Sequence, residues 1–91
     1  MQVTLEKAKN YLRVDSSDDD ALIESLITTA ETLVKETSRM SDEELTPYKE
    51  VVEIAELFTI AYLYEHREEA DYKNLTETVK YLLFPIRKEV F

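Results

Sequence analysis

The chain has 91 residues, 20 of them acidic and 11 basic, which gives a formal net charge of −9, and it contains neither cysteine nor glycine. This length predicts one domain, residues 1–91, because so short a chain cannot build a second hydrophobic core. The negative charge opposes the phosphate neutralisation that drives nucleic-acid binding. The missing cysteines exclude disulfides and thiolate sites, and the missing glycines exclude phosphate-binding glycine-rich loops. An all-α fold with loops of Asp, Ser, Asn and Pro fits this composition.

The sequence also limits where the chain works and in what form. It has no run of 18 or more uncharged apolar residues, and its first ten residues lack the apolar core of a signal peptide. We therefore expect a soluble, cytosolic protein with no membrane contact. A domain of this size buries only about two-thirds of its unfolded surface, so oligomerisation would stabilise it.

The first half of the chain predicts two helices. Thr4 can cap a short helix, LEKAKNYLR, which is too short to be stable unless it docks on a longer one. A second helix is predicted from about residue 18 to 37, with Ser17 and Asp20 resembling a capping pair at its start. Its apolar stripe recurs with the period of a helix face and comprises Ile23, Leu26, Ile27, Ala30 and Val34.

The second half is organised around residues 47–66, PYKEVVEIAELFTIAYLYEH, the most apolar stretch of helix length. Thr46 can cap this central helix, and Pro47 suits its first turn. The early turns predict a buried side with Val51, Ile54, Ala55 and Phe58, and a solvent side with Lys49, Glu50, Glu53 and Glu56. Residues 57–64 are apolar on all sides, so they need cover from the domain or from a neighbouring subunit.

The flanking segments complete a fold of about four helices. Residues 38–46 are polar and predict a connection with one helical turn after Ser41. Asn74 and Glu77 resemble a capping pair that opens a last helix, and Pro85 should end it. The apolar stripe of this helix comprises Leu75, Val79, Leu82, Leu83 and Ile86.

Candidate chemistry is sparse. The acidic run with Asp15, Asp18, Asp19 and Asp20 lacks the mid-loop glycine and the twelfth-position Glu of a calcium loop, so helix capping explains it better. His66 is the only histidine and has no evident metal-binding partners. No nucleophile is paired with a base, so we predict neither an enzyme nor a cofactor or metal site. The aromatic pair Tyr62 and Tyr64 fits either core packing or a subunit contact.

Three segments together resemble a known family. They are residues 4–30, residues 60–70 with Tyr64, Glu65 and Arg67 in a Tyr-Glu-x-Arg ending, and residues 78–87 with a Leu-Leu-x-Pro-x-Arg close. This order is similar to that of the small helical head–tail connector proteins, also called head-completion or adaptor proteins, of tailed bacteriophages and prophages. The polar 38–46 connection departs from the longer loop that is frequent in relatives.

The resemblance implies a structural protein of the virion neck, assembled in the bacterial host cytoplasm. It implies a ring, commonly of about twelve subunits, beneath the portal vertex. Such a ring extends the channel, lets DNA pass without specific binding, and joins the head to the next connector or tail protein.

We predict two contact regions. The subunit interface would pair an acidic patch with a basic patch of the next subunit and comprises Asp18, Asp19, Asp20, Tyr64, Arg67 and Lys73. The C-terminal segment would bind the portal protein through Ile86, Arg87, Lys88, Val90 and Phe91, or else fold back on its own subunit. Two alternatives remain open, an acidic inhibitor that mimics nucleic acid and a small helical interaction module. The basic residues are dispersed among the acidic ones, which weakens mimicry.

Overall fold

A computed structural model describes residues 3–66 and 68–86 of the chain. These residues form four helices of at least eight residues and one single-turn helix, and the described ranges contain no strand. The bounds are α1 Leu5–Leu12, α2 Asp20–Ser38, α3 Asp42–Leu45, a 3₁₀ turn Thr46–Tyr48, α4 Lys49–Glu65 and α5 Tyr72–Leu83. The predicted all-α fold is confirmed.

Helices α2 and α4 form the centre of the packing, because they contact each other and each contacts both α1 and α5. Two apolar clusters lie along α4. The first joins α2, α3, α4 and α5 through Val34, Leu45, Val52, Ala55, Leu63, Leu75, Val79 and Leu83. The second joins the N-terminal segment and α1 to α2 and α4 through Val3, Ala8, Ile23, Ala30 and Ile60. Leu26 of α2 packs against both clusters, so the two form one continuous core.

Several predicted helix ends are confirmed. The Thr4 hydroxyl accepts a hydrogen bond from the Lys7 amide at 3.1 Å at the start of α1. Ser41 and Glu44 form a reciprocal capping box at α3, which is the single turn expected after Ser41. Helix α5 ends at Leu83, two residues before Pro85.

Left-handed residues end the first two helices. Arg13 (φ 61°) follows α1 and Arg39 (φ 62°) follows α2. Glycine usually occupies this position because it has no Cβ to clash, and a residue with a side chain costs roughly 1–2 kcal/mol there. In a chain without glycine, arginine takes the position at both ends.

Three other capping predictions are wrong. Helix α2 begins after Asp19, and no side-chain hydrogen bond caps it, so Ser17 and Asp20 do not form a capping pair. The Thr46 hydroxyl donates instead to the carbonyl of Asp42 at 2.9 Å, because Thr46 already continues the turn of α3.

The start of α5 also differs from the predicted pair of Asn74 and Glu77. The helix begins at Tyr72, and Asp71 is its N-cap, with Oδ1 accepting from the Asn74 amide at 3.0 Å. Aspartate is among the preferred N-cap residues, and its side chain reaches the amide three residues on. Asn74 therefore lies inside the first turn.

The orientation of α4 is the largest correction. The predicted inner residue Ile54 is 59% exposed, whereas the predicted outer residue Glu56 is only 1% exposed. The face that packs inward comprises Val52, Ala55, Glu56, Thr59, Ile60 and Leu63. Because α4 is apolar on nearly every side beyond its first turns, its own pattern does not select a face, and the positions of α2 and α5 do.

The shape of the molecule explains why one side of α4 stays uncovered. The Cα atoms extend 44 × 27 × 16 Å, so the subunit is a thin slab. Packed helix axes lie about 8–10 Å apart, so a Cα thickness of 16 Å holds two layers of helices and covers each helix on one side. The outer side of α4, with Ile54, therefore lies at the surface.

Candidate interaction surfaces

The loop between α1 and α2 is fastened to the end of α4. The Tyr64 hydroxyl donates a hydrogen bond to Asp19 Oδ2 at 2.6 Å, and both side chains are partly buried. A short hydrogen bond to a carboxylate is stronger than one between neutral groups. Two residues that the sequence assigns to the subunit interface thus meet within one subunit.

Asp20 is also engaged inside the subunit. Lys9 Nζ of α1 lies 2.8 Å from Asp20 Oδ1, and the lysine side chain is largely buried. That oxygen has no hydrogen bond of acceptable geometry among the described residues, so the contact is an ion pair without a directional hydrogen bond. Of the three consecutive acids, only Asp18 is exposed.

Of the two basic residues in the predicted subunit interface, the structure describes only Lys73. Lys73 is exposed in the first turn of α5. Arg67 lies outside the described residues. The predicted pairing of the acidic run with these two cations stays a prediction.

The predicted portal-binding segment is described only at its first residue. Ile86 is half-buried and packs against the cluster shared by α2, α4 and α5. Arg87, Lys88, Val90 and Phe91 lie outside the described residues. Ile86 therefore belongs in part to the core of its own subunit.

Tyr62 and His66 close the end of α4. Their rings stack with centroids 4.2 Å apart, and His66 Nδ1 lies 2.8 Å from the Tyr62 carbonyl oxygen. The Tyr62 hydroxyl accepts a hydrogen bond from the Asp71 amide at 3.1 Å, which positions the start of α5. The hydroxyls of both Tyr62 and Tyr64 are therefore hydrogen bonded within the subunit.

Glu56 is a buried acid that the sequence pattern assigned to solvent. Both carboxylate oxygens lack a hydrogen-bond partner among the described residues. Burial raises the pKa of Glu56 from 4.5 to about 7, with repulsion from Glu31 as the next cause. Glu53 and Asp42 raise this pKa further. Glu56 is therefore partly protonated near neutral pH.

An open groove runs between α1 and the outer side of α4. One part of it, about 550 Å³, is lined by Lys7, Asn10, Tyr11, Glu50, Glu53, Ile54 and Leu57. A second part, about 470 Å³, is lined by Tyr11, Leu12, Arg13, Phe58, Ala61, Tyr62 and Glu65. Tyr11 borders both parts, so we treat them as one surface, the α1–α4 groove. Among the α4 residues that line it, Ile54, Leu57, Phe58 and Ala61 are apolar, and Glu50 and Glu65 lie near its two ends.

A second exposed apolar surface lies on α5. Tyr81 is 79% exposed and Phe84 is 68% exposed. They follow Lys73, Glu77 and Lys80 at helical spacing on the side that faces away from the core, and we call these five residues the α5 stripe. Neither surface was predicted from the sequence. The available signal for the α5 stripe was that Tyr81 and Phe84 lie outside the predicted apolar stripe of the last helix.

The described residues form no candidate metal site beside these surfaces. Among them, no group of three or more His, Asp or Glu side chains is placed to hold a metal ion. None of the helices in the described ranges is both long and apolar enough to cross a membrane. The α1–α4 groove and the α5 stripe are surfaces suited to protein contacts.

Comparison with known proteins adds one finding. No curated protein and no solved structure shows significant similarity to the chain. The sequence profile of one family, described as phage gp6-like head-tail connector protein, matches residues 2–90. This match covers nearly the whole chain, including all five helices and both exposed surfaces. The chain therefore belongs to the phage gp6-like head-tail connector family and is a structural component of the virion that connects head and tail.

Proposed function

We propose that this connector works as a closed ring seated beneath the portal of the filled head, where it extends the DNA channel and presents a surface to the next connector or tail protein. The observation that carries the proposal is the uncovered outer side of α4. The central helix of the fold leaves Ile54 59% exposed, although it buries Glu56 on its other side. A helix with apolar residues on its outer side is suited to cover from a neighbouring subunit.

The geometry of the two exposed surfaces favours a ring. The α1–α4 groove and the α5 stripe lie on different helices and are not copies of each other. Contacts between two different surfaces are heterologous and run head to tail, and they close into a ring when the rotation between subunits permits. A two-fold dimer would instead pair one surface with itself.

The charge of the chain is compatible with a channel that DNA passes through. A net charge of −9 gives the protein no general affinity for the phosphate backbone. DNA would move past such a wall without being held. The ion pairs among the described residues, Lys7 with Glu53, Lys9 with Asp20 and Lys35 with Asp42, lie within one subunit.

The C-terminal segment remains our candidate for the portal contact. Ile86 anchors the segment on the core, and Arg87, Lys88, Val90 and Phe91 follow it. Two apolar residues next to two basic ones suit a groove with an acidic rim on another protein.

Electron microscopy of the purified chain with its cognate portal assembly tests the proposal. We expect an additional ring beneath the portal, and we expect a chain that ends at Arg87 to lose it. A shortened chain that docks fully but melts at a lower temperature would contradict the portal role of the tail. A chain that stays monomeric or dimeric with the portal, and inhibits a DNA-binding protein instead, would overturn the ring in favour of an acidic mimic.

A further inference from the structure

The α1–α4 groove and the α5 stripe match in length and in the apolar residues that they expose. The groove exposes Ile54, Leu57 and Phe58, whereas the stripe projects the rings of Tyr81 and Phe84. At about 1.5 Å per residue, α4 spans roughly 22 Å between Glu50 and Glu65. The stripe spans roughly 16 Å on the same rise, so it fits between these two acids.

The two surfaces also differ in charge. In the groove, Lys7 is neutralised by Glu53, whose Oε2 lies 2.7 Å from Nζ. The remaining charges are Arg13 and the two acids at the ends, Glu50 and Glu65, so the groove is negative on balance. The stripe carries two lysines and one glutamate, so it is positive on balance.

We propose that the α1–α4 groove of one subunit receives the α5 stripe of the next copy, with α5 antiparallel to α4. This inference deepens the proposed function, because it assigns the two surfaces that join neighbouring subunits of the ring. Tyr81 and Phe84 pack over Ile54 and Leu57 of the neighbour. Tyr81 lies eight residues after Lys73, about 12 Å along the helix, which places the Lys73 ammonium near Glu65 at the end of the groove.

Pairing of either surface with itself is less favourable. Two grooves facing each other about a two-fold axis would bring Glu50 and Glu65 of one copy against the same acids of the other. Two α5 stripes are each positive on balance, so they would likewise repel. Like charges across an interface repel, whereas the groove and the stripe bring opposite charges together.

Cysteine cross-linking tests the pairing on a chain that has no cysteine of its own. We would introduce Ile54→Cys and Phe84→Cys, both at exposed positions, and add a short bismaleimide. The double variant should give a ladder of multimers, because each copy then carries both halves of the contact. A mixture of the two single variants should give dimers only, and each single variant alone should stay uncross-linked. Efficient cross-linking of Ile54→Cys with itself would overturn the proposal in favour of a two-fold contact.

Charge exchange tests the register. Lys73→Glu and Glu65→Lys should each weaken self-association, by about tenfold in the dissociation constant measured by sedimentation, and together they should restore it. The matched control is Asp18→Lys, an exposed acid at the loop where the sequence predicts the partner of Lys73. Rescue of Lys73→Glu by Asp18→Lys but not by Glu65→Lys would contradict the antiparallel register.

A second control separates this inference from the proposed function. Phe84→Ser with Tyr81→Ser removes the rings of the stripe, whereas Tyr72→Ser removes a similarly exposed ring, 62%, from another side of α5. The chain with both Phe84→Ser and Tyr81→Ser should lose assembly and keep its melting temperature. The Tyr72→Ser chain should keep both. If the doubly substituted chain still forms rings on the portal, the surface assignment is wrong and the ring stands. If the unmodified chain forms no ring on the portal, both fail.

Discussion

Helix α4 buries an acid on its inner side and exposes an isoleucine on its outer side. The inner side packs against α2 and α5 and carries Glu56, a carboxylate without hydrogen-bond partners among the described residues. The outer side carries Ile54 in the open α1–α4 groove. These two residues are two positions apart and therefore project about 200° from each other around the helix. No rotation of α4 about its axis could bury Ile54 and keep Val52 and Ile60 inside.

Helix α4 is oriented by its largest set of apolar contacts. Val52, Ile60 and Leu63 are all buried on the inner side, and together they outweigh one acid. Burying an apolar side chain of this size contributes about 1.5–3 kcal/mol. The acid reduces its own cost by binding a proton, as its raised pKa shows. The outer apolar residues are then available to a neighbour, in line with the proposed ring.

The largest expected effect comes from shortening Ile60, the buried isoleucine on the inner side of α4. Ile60→Ala should lower the free energy of unfolding by about 2–5 kcal/mol, because Ile60 is fully buried and truncation leaves a cavity. Ile54→Ala is the matched control on the same helix, and it should change stability by at most about 0.5 kcal/mol. Urea denaturation of the monomer measures both. Equal losses, or a larger loss at Ile54, would contradict the orientation of α4.

The second prediction concerns the buried acid. The folded pKa of Glu56, about 7, exceeds the unfolded value of 4.5, so the folded state binds more protons between these pH values. Stability contributed by the protonated acid is complete below about pH 4.5 and is lost as the pH rises to about 7. One pKa unit corresponds to 1.36 kcal/mol, so the loss approaches 3 kcal/mol. Urea denaturation at pH 5 and pH 8 should show most of this difference.

Substitution identifies the group responsible. Glu56→Gln should remove most of the loss between pH 5 and pH 8, since glutamine does not ionise. Glu50→Gln, at an exposed acid in the first turn of α4 that does not act on the pKa of Glu56, should leave it in place. A Glu56→Gln chain with the full wild-type pH dependence would show that another group causes the loss.

How far the sequence predicts this fold depends on the contrast between the faces of each helix. In α2, the stripe of Ile23, Ala30 and Val34 is buried as predicted, because polar residues on the other side of the helix leave one apolar face. In α4, apolar residues surround the helix after its first turns, so the period alone did not choose between Ile54 and Glu56. The existence of both helices was predicted correctly, and the face of α4 was not.

The candidate surfaces were less predictable than the fold. The contact between Asp19 and Tyr64 joins residues 45 positions apart, and nothing in the local pattern links them. The sequence nevertheless placed both in one predicted contact region. The α1–α4 groove depends on where α1 docks, which is decided by packing in three dimensions. The family, in contrast, was predicted from the order of three short segments and is confirmed over residues 2–90.

The smallest effect expected is at the border between the two sides of α4, where Tyr64 fastens the loop between α1 and α2. Tyr64→Phe removes the hydroxyl that donates to Asp19 Oδ2 at 2.6 Å and keeps the ring in place. A hydrogen bond to a charged group contributes about 1.5–3 kcal/mol when well shielded, and this pair is only partly buried. We therefore expect a loss of about 1 kcal/mol in the free energy of unfolding. Tyr72→Phe, at an exposed ring, should lose almost nothing.

A double-mutant cycle shows whether that loss belongs to the contact itself. Asp19→Asn weakens the acceptor, and combining it with Tyr64→Phe should cost less than the sum of the single changes, because both remove the same bond. Additive losses would mean that the two side chains stabilise the subunit independently. The same variants bear on the ring. If Asp19 and Tyr64 act within one subunit, Tyr64→Phe should lower the melting temperature of the monomer while leaving the cysteine ladder between Ile54→Cys and Phe84→Cys unchanged.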